Sequence, residues 1–160
     1  MTLPALGDRD RPNQVPWPPI IDVVVLGAAW LLEQIAPLSM MTTSFPIRAA
    51  GWLATIAGLA IAIAGLGYFR SIGTAPNPTG RASDLATGGI YGWTRNPMYL
   101  GTIIAFFGLA FALSSAWLLI LTILMPLALR KLAIEPEEAY LGRRFGAGYA
   151  AYCKRVRRWL

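Results

Sequence analysis

The sequence predicts an all-α integral membrane protein: four transmembrane helices with a carboxyl-terminal amphipathic interfacial helix. Three observations predict it. The chain is 56% hydrophobic and 14% charged, which lies toward the membrane class of composition. Four apolar runs, residues 20–36, 47–69, 97–113 and 116–132, approach or exceed the ~20 residues that cross a hydrocarbon core. After the last of them the pattern changes to one apolar stripe faced by basic residues. The net charge of +6 would suggest nucleic acid in a soluble protein. Beside such apolar runs it points to a surface that meets anionic lipid, and no nucleic-acid partner is expected. One cysteine excludes an intrachain disulfide, and the absence of histidine removes the commonest metal ligand. No metal site is expected.

Residues 1–19 are polar and proline-rich (Pro4, Pro12, Pro16, Pro18, Pro19) and form a cytoplasmic arm without a core of its own. The arm lacks the charge, apolar and small-residue order of a secretory leader. Trp17 is suited to the membrane interface. Residues 20–160 form a single membrane domain. In its first span Asp22 sits at the start, among headgroups, and Glu33 reaches for the far interface. In the second, Ala54, Gly58 and Ala62 recur every four residues with Gly51 and Gly65 nearby, a spacing that lets helices pack closely in lipid, within one chain or in a homo-oligomer.

A polar loop, residues 70–96, comes next and is long for a helix connection. It ends in Gly88 to Gly101, GGIYGWTRNPMYLG. Asparagine is a preferred N-cap and proline is favoured at the first helical position, so Asn96-Pro97 starts the third helix. Free N–H groups and the helix dipole make that start a place for a carboxylate. Ser114-Ser115 alone separates the third and fourth spans, giving an antiparallel hairpin, and Pro126 should kink or loosen the fourth. In the tail, residues 134–160, Leu141, Phe145, Tyr149, Tyr152, Val156 and Trp159 recur at intervals of 4, 4, 3, 4 and 3. Arg143, Arg144, Lys154, Arg155, Arg157 and Arg158 occupy the other side, so the tail should lie on anionic lipid, broken near Gly146 and Gly148. With four spans the arm, the long loop and the tail share one side, which holds every lysine and arginine except Arg48. That side is expected to be cytoplasmic, giving a multi-pass cell-membrane protein with both termini inside.

Two blocks add a resemblance. G-x-Y-x-x-x-R-N-P-M-Y-L-G spans Gly89 to Gly101, and E-E-x-x-L-x-x-x-F-G-x-x-Y-x-x-Y-x-x-x-V spans Glu137 to Val156. Over roughly its second half the chain resembles the isoprenylcysteine carboxyl methyltransferase and phospholipid methyltransferase superfamily of integral membrane enzymes. The resemblance implies methyl transfer from S-adenosylmethionine, with S-adenosylhomocysteine as product, to a lipophilic or amphiphilic acceptor (carboxylate, thiol or amine) at the cytosolic membrane face. It implies that Ser83, Asp84, Leu85 and Ala86 line the cofactor, followed by Tyr91. Arg95, Asn96, Pro97, Met98 and Tyr99 would form the central cradle, closed by Glu137 and Glu138. Phe145, Tyr149 and Tyr152 would shape a lid or wall. Two positions depart from the pattern. Asn96 stands where many members have histidine, and Ala133 stands where the prenylcysteine branch has a substrate-binding arginine, leaving Arg130 and Lys131 as the nearest cations for an acceptor. A thiolate or carboxylate acceptor needs no protein base. An amine must lose a proton, and Glu137, Glu138 or Tyr99 are then the candidates. Two other classes fit parts of the same pattern: a sterol-reductase-like NADPH enzyme and a non-enzymatic four-helix membrane scaffold.

Overall fold

The computed structural model describes residues 15–38, 44–73 and 84–160. Six α-helices occur among them: α1 (Trp17–Ile35), α2 (Phe45–Ser71), α3 (Pro97–Leu113), α4 (Ala116–Leu129), α5 (Glu135–Phe145) and α6 (Ala147–Arg155). A 3₁₀ turn, Gly89–Gly92, precedes α3, and a π-helical turn, Arg130–Ile134, joins α4 to α5. Among the described residues three helical stretches are long and apolar enough to cross a membrane: α1, α2 and the continuous helix Ala116–Phe145. The apolar α3 is shorter, at 17 residues.

Helix α3 runs antiparallel along α2 with almost no space between their backbones. A Cβ on Gly51 would lie 2.6 Å from the Ala112 nitrogen, and one on Gly108 would lie 2.6 Å from the Gly51 carbonyl. Farther along, Gly58 meets Gly101 and Ala105, and Gly65 meets Met98. The predicted small-residue stripe is the contact: Gly51, Gly58 and Gly65 recur every seven residues, and Ala54 and Ala62 meet Gly108 and Gly101 beside them. A seven-residue repeat holds one face toward a partner over several turns. The stripe is used within the chain. Thr55 sits in it and donates to the Gly51 carbonyl at 2.9 Å.

Helices α1 and α4 pack through the main core, in which Ile21, Val25, Ala29, Leu118, Met125 and Leu129 are buried. Trp117 Nε1 donates to the Ala36 carbonyl at 2.7 Å and ties the end of α1 to the start of α4. Ser115 caps α4, its hydroxyl accepting from Leu118 N–H at 3.2 Å.

Four features of the helices differ from the sequence expectation. Helix α1 begins at Trp17 rather than residue 20, because prolines in a first turn lose no hydrogen bond. Asn96 opens α3 without a side-chain cap, since its amide is engaged elsewhere. Pro126 is accommodated inside α4, and the irregular turn comes later. The fourth helix does not stop at residue 132 with a separate tail from 134, because the π turn carries it on to Phe145. Pro136 has no N–H for residue 132, and the turn just before it instead bonds Glu135 N–H to the Arg130 carbonyl. The chain does break at Gly146, whose φ of +49° suits glycine. Three members of the predicted lipid-facing stripe, Tyr149, Tyr152 and Val156, are buried inside the protein against Leu85, Leu141 and Phe145. Trp159 packs on the main core.

Candidate functional site

A cavity of about 570 Å³ opens where the start of α1, the end of α2, the start of α3 and the region after the π turn meet. That size suits a small organic ligand. The α2 wall is apolar: Leu59, Ala62, Ile63 and Leu66 face it at helical spacing. The far side is formed by α5 and α6, with Glu137, Glu138, Tyr149 and Tyr152.

The π turn aims the carboxylates. Inward positions on α4 run Leu118, Thr122, Met125, Leu129, at steps of four and three. The next buried side chains are Ala133 and Ile134, four and five residues on, and Glu137, Glu138 and Leu141 continue from Ile134 at helical spacing. One extra residue in a turn rotates the rest of the helix by about 100°.

At the centre, Tyr99 Oη donates to Glu137 Oε2 at 3.1 Å, joining the two sequence blocks across the cavity. Among the described residues Glu137 has no cationic partner. Glu138 is gripped from both sides instead. Arg158 Nε and Nη2 reach its two oxygens at 3.0 and 2.7 Å, and Arg95 Nη2 reaches Oε1 at 3.3 Å. Glu138 is thus neutralised and Glu137 is not, although they are neighbours in sequence.

Tyr91 lies on the floor, 5% exposed, stacked edge-on against Phe69 with ring centroids 5.1 Å apart. Its hydroxyl is buried and has no hydrogen-bond partner among the described residues. Burial, reinforced by the Glu137 carboxylate, pushes its pKa well above the usual tyrosine range. Burial also raises Tyr149, and pushes Tyr152 up to about 12 against the opposing pull of Arg95. These three phenols stay protonated at neutral pH, so none of them is a base there. Tyr152 Oη donates to the Tyr91 carbonyl at 2.7 Å and holds α6 over the 3₁₀ turn. Gly88 and Gly89 lie so close to the Tyr68 ring that neither has room for a Cβ.

Of the residues the sequence singled out, Asp84, Leu85, Ala86, Tyr91, Arg95, Asn96, Met98, Tyr99, Glu137 and Glu138 all line this cavity. Ser83 lies outside the described residues. Pro97 is buried beneath the wall and starts α3. Arg130 and Lys131 are not brought to the cavity: both are exposed and pair with Glu135, at 2.8 and 3.2 Å. Sequence reasoning missed Asp22 and the α2 wall. The wall was legible as the spacing 59, 62, 63, 66, while Asp22 gave no sign beyond its place at a helix start. Arg158 was read only as one of many surface cations.

A family model described as phospholipid methyltransferase matches residues 47–148, which include all but the first turn of α2 and the whole of α3, α4 and α5. No curated protein matches the chain, and no solved structure does. The match covers more than half of the sequence, so the chain belongs to the phospholipid methyltransferase family, a family of membrane methyltransferases.

Proposed function

We propose that this member of the phospholipid methyltransferase family transfers a methyl group from S-adenosylmethionine to an amphiphilic acceptor at the cytosolic face of a cell membrane. The observation that carries the proposal is the Tyr99–Glu137 hydrogen bond, which sets both sequence blocks on one cavity. The fourth span, α3, and the inside position of both termini belong to the same proposal, supported by the placement of the basic residues at the cavity end.

The cavity fits such a donor. Its carboxylate suits the unpartnered N–H groups of the first turn of α3. Its ammonium suits Glu137, whose carboxylate otherwise faces the cavity with one phenol for company. The orphaned Tyr91 hydroxyl offers a donor to a ribose or base oxygen or nitrogen. The rings of Tyr91, Tyr99 and Tyr149 can stabilise positive charge at their faces. When bound, S-adenosylmethionine supplies an electrophilic methyl carbon for in-line displacement. The residues of this chain do the rest by orientation. Leu59, Ile63 and Leu66 exclude water and guide an apolar acceptor chain, and the mouth framed by Asp22 and α2 admits it from the bilayer. With Glu138 already paired, Glu137 is the carboxylate free to take a proton if the acceptor is an amine.

Purified protein in detergent should bind S-adenosylhomocysteine by calorimetry and show no protection by NADPH in a thermal-shift assay. Absence of S-adenosylhomocysteine binding by folded protein would reject the proposal, and NADPH protection would favour a reductase. Incubation with lipid extract and labelled methyl donor then identifies the acceptor. Tyr99→Phe should weaken S-adenosylhomocysteine binding about fivefold, ~1 kcal/mol, because Glu137 loses the bond that orients it.

A further inference from the structure

The segment after α6 lies beyond the family match, and the proposed methyl transfer draws on it only through the pairing of Glu138. The Arg158 carbonyl accepts from Thr94 Oγ1 at 3.2 Å and from Asn96 Nδ2 at 2.9 Å. One residue earlier, the Arg157 carbonyl accepts from Arg95 N–H at 3.0 Å. Two consecutive carbonyls thus hold the three residues that lead into α3. Thr94 and Asn96 are 2% and 8% exposed, so each donor must find a partner in the protein. The Arg158 side chain adds the two-point grip on Glu138, a geometry that fixes direction as well as distance. The Glu138 bond in turn raises the Arg158 pKa, so the clamp is charged throughout the working range.

We infer that Arg158 is a positioning residue. It clamps the segment after α6 to the 94–96 turn and to Glu138, and so holds the start of α3 at its working distance from Glu137. Without it Glu138 keeps only Arg95 among the described residues, and Arg95 is shared with Tyr149 and with Cys153, to whose sulfur Nη1 donates. Loosening the clamp therefore loosens the contact over Cys153. The ligand-binding consequence rests on the proposed function, and the mechanical one does not.

Two measurements on full-length protein in detergent separate them. Cys153 is the only cysteine, so its rate of reaction with a maleimide reports the clamp without any ligand. Arg158→Ala should raise that rate about fivefold, as the open population grows. Arg158→Lys, which keeps the charge but offers one point of attachment, should fall between Arg158→Ala and wild type. By calorimetry Arg158→Ala should weaken S-adenosylhomocysteine binding about tenfold, ~1.4 kcal/mol. The Arg158→Ala/Glu138→Ala double variant should be no weaker than Glu138→Ala alone, because both act through one contact. An unchanged thiol rate, or losses that multiply in the double variant, would overturn the inference. If Arg158→Ala does not fold, wild-type rates and affinity in Arg158→Lys overturn it equally. Wild-type protein that binds no S-adenosylhomocysteine would sink the proposed function, while the thiol rates would still decide the clamp.

Discussion

Gly58→Leu should destabilise the helix pair beyond recovery, with a loss on the order of 3 kcal/mol or more. Core overpacking ordinarily costs about 1–3 kcal/mol because side chains can shift. Here a Cβ would fall on the Ala105 nitrogen and on the Gly101 carbonyl, 2.5 Å away, and backbone in the middle of a helix has nowhere to go. The two helices would have to separate along their whole contact, losing the Gly51 and Gly108 approaches as well. Gly67→Leu is the control, since a Cβ there meets nothing within 4 Å. Thermal melts followed by circular dichroism in detergent should show a large drop for Gly58→Leu and little change for Gly67→Leu. Equal effects would mean that the α2–α3 line is not what holds the bundle. The site depends on the same line, because Gly65 against Met98 brings the end of α2 to the start of α3 at the cavity.

Glu137→Gln should cost S-adenosylhomocysteine binding ten- to a hundredfold, about 1.5–3 kcal/mol, the usual worth of a hydrogen bond to a charged group. The substitution keeps the shape and an oxygen that can accept from Tyr99 Oη. It removes only the charge offered to an ammonium. Ligand-free protein should be as stable as wild type or slightly more so, since a half-buried carboxylate with no cationic partner among the described residues is costly to hold. Calorimetry and ligand-free melts on one preparation test both halves. Parallel loss of stability and binding would mark Glu137 as a structural residue. Glu138→Gln makes the contrast: by breaking the grip of Arg95 and Arg158 it should lower stability as well.

Much of the site could be read in the chain because it is built from contiguous stretches. Residues 84–86, 95–96 and 98–99 reach the cavity together, and a first-turn proline at 97 sets the helix start whatever surrounds it. The readings that failed depended on partners far away in sequence. Asn96 is a good N-cap by type, but its amide finds the Arg158 carbonyl, 62 residues on, and leaves the helix uncapped by its side chain. The apolar stripe through Tyr149, Tyr152 and Val156 has the spacing of a lipid-facing helix. Burial against Leu85 gives those rings a protein surface instead, and spacing alone does not say which apolar phase a face will meet. Arg130 and Lys131 were nearest in sequence to the Glu pair, but Glu135 takes both and they point away.

The sequence by itself determined the membrane class, the helices and their approximate bounds, and the two blocks that meet at the cavity. Those depend on local quantities: apolar length, proline and glycine placement, and residue period. Only the tertiary structure decided that the small-residue stripe of α2 packs against α3, which of two adjacent carboxylates is left free, and what Arg158 holds. The reason is that each of these depends on a rotation about a helix axis. A single added residue in the turn Arg130–Ile134 changes that rotation by about 100°, and no local preference reveals it until the helices are packed.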